Sequence, residues 1–104
     1  MKYGPLALQV LPLAEKYFDN LSLVEQSIVM NDIKDLCTGE FGAVHSKQLR
    51  GPIRELIVGN HRFTYFLLSR TLYFVRGFRK KSTKTPPQEI EYALKVYKMI
   101  KSKP

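Results

Sequence analysis

Three neighbouring segments leave this chain little freedom in what it can fold into. "IRELIV" (Ile53–Val58), "HRFTYFLL" (His61–Leu68) and "TLYFVRGF" (Thr71–Phe78) are rich in β-branched and aromatic residues, and only two residues separate each from the next. Such side chains fit a pleated, half-buried surface. Gly59-Asn60 is a two-residue hairpin signal, and Ser69-Arg70 is a weaker turn of the same length. The three segments therefore read as an antiparallel meander. Along "HRFTYFLL", Arg62, Thr64, Phe66 and Leu68 share one face, and Phe63, Tyr65 and Leu67 share the other. Large apolar groups on both faces predict a central strand.

A sheet that is apolar on both faces needs cover, and the flanking sequence supplies helices. "LALQVL" (Leu6–Leu11) is a short apolar run with strand character. Pro12 then suits a first helical turn, where its missing N–H is not needed. Ala14, Tyr17, Phe18 and Leu21 recur at helical spacing. Ser22 precedes Glu25 by three residues, a capping-box spacing, and Val29, Ile33, Leu36 and Cys37 follow on one helical face. Gly39 is a C-terminal stop. Residues 12–38 thus predict a helical hairpin. "EFGAVHSKQLRGP" (Glu40–Pro52) reads as a loop punctuated by Gly42, Gly51 and Pro52. In "TPPQ", Thr85 stands where it can cap a last helix, with Gln88 at the capping-box position. Ile90, Ala93, Leu94, Tyr97 and Ile100 form that helix's apolar stripe. The expected order is β-α-α-β-β-β-α, an α+β fold with helices packed on an antiparallel sheet. The 104 residues are one domain's worth.

Charge is distributed unevenly over this frame. Residues 1–44 hold three basic and six acidic residues, whereas residues 45–104 hold fourteen basic and three acidic, out of a net charge of +8. The basic half predicts a surface that meets a polyanion. Antiparallel pairing brings the start of one strand beside the end of the next, so Arg62 is expected to meet the cations Arg76, Arg79, Lys80 and Lys81. Arg54 lies toward the other end of its strand. Converging Arg and Lys side chains suit phosphate oxygens.

Other chemistries have little support. One cysteine, Cys37, and two separated histidines, His45 and His61, make no metal-ligand cluster, and no cofactor is implied. A lone thiol fits a reducing cytoplasm, and its place on an apolar stripe gives it a packing role. No apolar run reaches the roughly 18 residues of a membrane span. Pro12, Glu15 and Lys16 interrupt the N-terminal apolar stretch, against a secretory signal. No Gly-rich phosphate loop or nucleophile elbow occurs. Any catalysis falls to Arg, Lys, His or Tyr.

The stretch "HSKQLRGPIRELIVGNHRFTYFLLSRTLYFVRGFRKKSTKTPPQEIEYALK" resembles the C-terminal half of the RelE/HigB-like toxins of type II toxin–antitoxin systems, and most closely their phage-derived HigB-like branch. The resemblance spans about residues 45–95, and its most specific part is the "KTPPQEI" helix start. "VLPLAEKYFDNL" is similar to the superfamily's strand–Pro–helix opening. Two positions depart from the pattern: Ile57 stands where it has the arginine of "ELR", with Arg54 nearby, and Arg76 stands where it has the histidine of "HGF".

The resemblance implies a cytoplasmic endoribonuclease that cleaves mRNA on the ribosome, together with a cognate antitoxin, a helix-turn-helix protein, and no membrane partner. At the matching basic positions it implies Arg62, Lys80, Lys81 and Lys84 as catalytic residues and Lys47 as an RNA-binding one, and the other cations of this half, Arg50, Arg54, Arg76 and Arg79, are further RNA-binding candidates. Such an enzyme aligns the RNA 2′-hydroxyl on the adjacent phosphorus, stabilises the added negative charge and moves protons. Crowding of like charge favours a neutral amine, which makes a lysine of the cluster the candidate base. His61 is a further proton-transfer candidate, although it precedes Arg62 and is expected on the opposite face. Two other readings of the same fold stay open: a non-catalytic nucleic-acid-binding module, and a ParE-like toxin of DNA gyrase.

Overall fold

The computed structural model describes residues 5–103; residues 1–4 and 104, which the one-domain expectation includes, lie outside it. The elements run β1 (Ala7–Val10), α1 (Pro12–Asp19), α2 (Leu23–Cys37), β2 (Ser46–Arg50), β3 (Ile53–Val58), β4 (His61–Leu68), β5 (Thr71–Arg79) and α3 (Pro87–Lys101). All five strands form one sheet in the order β1-β5-β4-β3-β2. The predicted meander is β3-β4-β5, and β4 is its middle strand. β1 adds to β5 in parallel, with Ala7 opposite Thr71 and Val10 opposite Phe74.

β2 corrects the expected loop over Glu40–Pro52. Ser46, Lys47 and Gln48 pair with Leu56, Glu55 and Arg54. "SKQLR" has a single large apolar residue, Leu49, so it carries no period-two pattern of its own. Its pairing with β3 makes it a strand, and its polar exposed side suits a sheet edge.

Alternation along the strands divides the core into two layers. Leu56, Val58, Phe63, Tyr65, Leu72 and Phe74 pack with Ala14 of α1 and Val29, Ile33 and Leu36 of α2. On the other face Ile53, Phe66 and Val75 pack with Ala93 of α3, and Leu94, Tyr97 and Ile100 close over them. Cys37 joins the first layer, as its stripe position predicts, and burial pushes its thiol up from the ordinary value.

The capping box at Ser22 is present: its hydroxyl accepts from the Glu25 N–H, and a Glu25 carboxylate oxygen accepts from the Ser22 N–H. The box expected at Thr85 is absent. Pro86 occupies the cap of α3 and makes no side-chain cap bond. Thr85 turns instead to the sheet and donates to Glu55.

One irregularity decides which side chains face which layer. Thr64 pairs with Arg76 while Tyr65 pairs with Phe74, so Val75 is an extra residue in β5. A bulge of this kind shifts the alternation by one and exchanges the faces of everything beyond it. Val75 and Arg76 therefore both lie on the α3 face, followed by Phe78. Gly77 and Arg79 lie on the helical-hairpin face. At Gly77 a Cβ would stand 2.5 Å from Cδ2 of Tyr17 and 2.8 Å from Cε1 of Phe63, so only glycine lets these rings close on the strand.

Candidate nucleic-acid site

α3 starts at Pro87, and the sheet's end beyond its first turn is roofed by the 80–86 loop instead. Register brings the floor together. Lys47 lies opposite Glu55, Ile57 opposite Arg62, and Arg62 opposite Phe78, all on the α3 face. The ladder continues past both strand ends: Ile57 donates its N–H to the His45 carbonyl, and Lys80 donates its own to the Asn60 carbonyl. His45 and the root of the loop are thereby fixed at the rim. A cavity of about 220 Å³ results, lined by Lys47, Arg62, Lys80, Lys81 and Lys84 together with His45, Glu55, Ile57, Phe78 and Thr85.

Glu55 is the centre of this arrangement. It is 1% exposed, and a carboxylate so buried needs partners. The Thr85 hydroxyl donates to its Oε2 at 2.6 Å. Its Oε1 lies 3.8 Å from Nε of Arg62 and 3.9 Å from Nζ of Lys47. Arg62 is 8% exposed. Its Nη1 donates to the carbonyls of Gly59, at 2.7 Å, and His61, at 3.0 Å. The Nη2 end has no partner among the described residues. A guanidinium held by its other nitrogens loses little freedom when that end takes a phosphate oxygen. Five cations and one carboxylate line this cavity, so it carries an excess of positive charge.

The structure brings together five of the predicted site residues, Lys47, Arg62, Lys80, Lys81 and Lys84, and separates the rest. Arg76 does not join the cavity. Its Nε lies 2.8 Å from Oε1 of Glu89 on α3, off the line of a hydrogen bond, and its guanidinium sits over the Tyr92 ring. The bulge turns it to that helix. Arg79 is on the opposite face, beside Tyr17. Arg54 donates to the Ser46 hydroxyl and lines a separate depression with Tyr65 and Leu67. Arg50 is exposed at the far end of the sheet, next to the Gly51-Pro52 turn.

His61 points away from the cavity, as its alternation with Arg62 predicts. It is buried between the Tyr17 hydroxyl, 2.7 Å from Nδ1, and Oε2 of Glu25, 2.7 Å from Nε2. The donor and acceptor roles along this Tyr17–His61–Glu25 chain follow the tautomer of the imidazole. The His61 hydrogen bond, followed by the Ser22 backbone and hydroxyl contacts, lowers the Glu25 pKa to about 2. Burial raises the Tyr17 pKa against an opposing pull from Arg79, and the charge of Glu25 adds to the rise.

Sequence reasoning missed Glu55, His45 and Thr85 as site residues. Glu55 did leave a trace, being a carboxylate flanked at i−2 and i+2 by Ile53 and Ile57 on a buried strand face. His45 and Thr85 are in segments with no periodicity to assign them a direction.

Residues 16–98 match the model of the family described as "Phage derived protein Gp49-like". The chain belongs to this family. Among solved structures, a chain of the RelBE2 toxin–antitoxin complex from Mycobacterium tuberculosis is similar to this Gp49-like protein, with a TM-score of 0.60 and 17% identity. The match covers 73% of this chain and 99% of that one, and at this identity it is a likeness of fold. No curated protein matches the chain. No helix among the described residues of the Gp49-like protein is long and apolar enough to cross a membrane.

Proposed function

We propose that this Gp49-like protein is a toxin of the RelE/HigB type, a ribosome-dependent mRNA endoribonuclease neutralised by a cognate antitoxin. The observation that carries the reading is the convergence of Lys47, Arg62, Lys80, Lys81 and Lys84 on one cavity. The fold shared with a chain of a toxin–antitoxin complex supports it, as does the sequence resemblance over residues 45–95.

In this reading the scissile phosphate enters the cavity, the RNA 2′-hydroxyl attacks its phosphorus, and the bond to the 5′-oxygen breaks, which leaves a 2′,3′-cyclic phosphate and a 5′-hydroxyl that takes its proton from a charged group of the cluster. Arg62 meets the phosphate oxygens with its Nη2 end and stabilises the charge that develops there. Glu55 and the two carbonyls hold that guanidinium in place. Lys80, Lys81 and Lys84 neutralise the flanking phosphates, and one of them takes the attacking hydroxyl's proton. His45, on the rim, replaces His61 as the histidine for proton transfer, because His61 is committed to Tyr17 and Glu25 on the other face. Ile57 gives the cavity an apolar wall where the resembling toxins carry an arginine.

The antitoxin covers this surplus of cations with acidic or amphipathic sequence. Its binding therefore weakens with salt. An affinity that is equal at low and high salt points instead to an apolar contact, for which α2 offers exposed Leu23, Val24 and Ile28.

Expression of the chain without a partner tests the function. Growth arrest is expected, with new mRNA 5′ ends inside translated frames and poor cutting of free RNA. Arrest with intact mRNA overturns the ribonuclease reading and favours gyrase poisoning. Normal growth with RNA binding favours a non-catalytic module.

A further inference from the structure

A second depression begins where the first one ends. Phe78, Lys81 and Pro86 line both. The second has a volume of about 440 Å³ and adds Tyr17, Gly77, Arg79 and Glu89 to its lining. It opens beside the part of β5 that β1 does not reach, since their pairing ends at Val10 and Phe74. Arg79, exposed at its rim, has no ion-pair partner among the described residues. The carboxylate of Glu89 is taken by Arg76.

Tyr17 is held in this groove from three sides. Its hydroxyl is bonded to His61, which is bonded to Glu25, which closes the α2 capping box. Its ring stands edge-on to Phe63, at 78° and 5.6 Å between centroids. The missing side chain of Gly77 lets the ring lie against β5. An aromatic ring fixed this firmly beside two cations has the composition of a stacking platform for single-stranded nucleic acid.

We propose that this groove is a second nucleotide subsite, in which a base of single-stranded RNA stacks on Tyr17 while its phosphate meets Arg79 and Lys81. The proposal rests on the RNA reading of the first cavity. Lys81 belongs to both depressions, so the two subsites take neighbouring nucleotides of one strand.

The test uses the full chain with non-cleavable 2′-O-methyl oligoribonucleotides carrying 5-iodouridine at successive positions. Irradiation is expected to crosslink one position to the peptide containing Tyr17 and a neighbouring position to the 80–86 loop. Arg79→Gln is expected to weaken binding of a hexanucleotide at least about fivefold. Crosslinks confined to the 80–86 loop, with unaltered hexanucleotide binding by Arg79→Gln, overturn the subsite and leave the first reading standing. No crosslink at any position overturns both. Protection of the Gly77 and Arg79 amides from hydrogen exchange by a partner protein, without a Tyr17 crosslink, overturns the subsite in favour of strand addition along β5.

Discussion

The Thr85 hydroxyl donates to Glu55 Oε2 over 2.6 Å and so joins the cationic loop to the floor of the sheet. The loop has few other ties: the Lys80 N–H to Asn60, and the Ser82 hydroxyl to the Lys84 carbonyl. Thr85→Val keeps the shape and removes the donor. It leaves a buried carboxylate short of one partner and is expected to cost about 1–3 kcal/mol in urea unfolding. Amides of the 80–86 loop are expected to exchange faster. Unchanged stability and exchange in this variant mean that the bond does not order the loop.

Arg62 has a structural and a proposed chemical role, and two substitutions separate them. Arg62→Ala strips Glu55 of its guanidinium and the Gly59 and His61 carbonyls of their donor. Breaking a buried pair in this way costs about 3–5 kcal/mol, so loss of toxicity in this variant is confounded with unfolding. Arg62→Lys retains the charge and loses the planar fork. It is expected to remain folded in thermal melts while growth arrest is lost. A folded Arg62→Lys protein that arrests growth as fast as the parent removes Arg62 from the phosphate.

Lys80 and Lys81 are exposed, and replacing both by Ala is expected to change stability by no more than about 0.5 kcal/mol. Toxicity is expected to disappear with them. Arg70 is the control, since it lies in the turn at the opposite end of the sheet. Ser69 and Arg70 both have positive φ, 49° and 62°, a conformation that is costly for residues with a Cβ. Replacing the pair by Asn-Gly is expected to raise stability by about 1 kcal/mol and to leave growth arrest intact. Equal toxicity of the Lys80/Lys81 variant and the parent means that this loop is only a solvated surface.

Glu25 makes stability depend on pH in the acid range. Its pKa in the folded chain is about 2, against an ordinary 4.5. A carboxyl lowered by folding contributes stability that is complete above the unfolded value and is lost as pH falls through the folded one. The melting-temperature gap between the parent and Glu25→Gln is therefore expected to be full near about pH 6 and to shrink progressively between 4.5 and about 2. Thermal melts across that range check it. A gap that does not change with pH means that Glu25 acts only through packing.

The sequence by itself determined the meander, the helical hairpin and the last helix. Each is written in local terms: period-two runs around Gly59-Asn60, helical spacing from Ala14 to Cys37, the Ser22–Glu25 box, and the stripe from Ile90 to Ile100. It also brought Arg62 and Lys80 to the same end of the sheet, because antiparallel order alone requires that. The facing of the cations was decided only by the tertiary structure. Had alternation run unbroken through Val75, Arg79 would face the cavity, and Phe78 and Lys80 would face the helical hairpin. A bulge is a property of the pairing between two strands and leaves no mark in the period of either one. Glu55 became the hub for a similar reason. Its partners come from β2, β4 and the loop before α3, and their meeting depends on β2, a strand that exists only because β3 is there to pair with it.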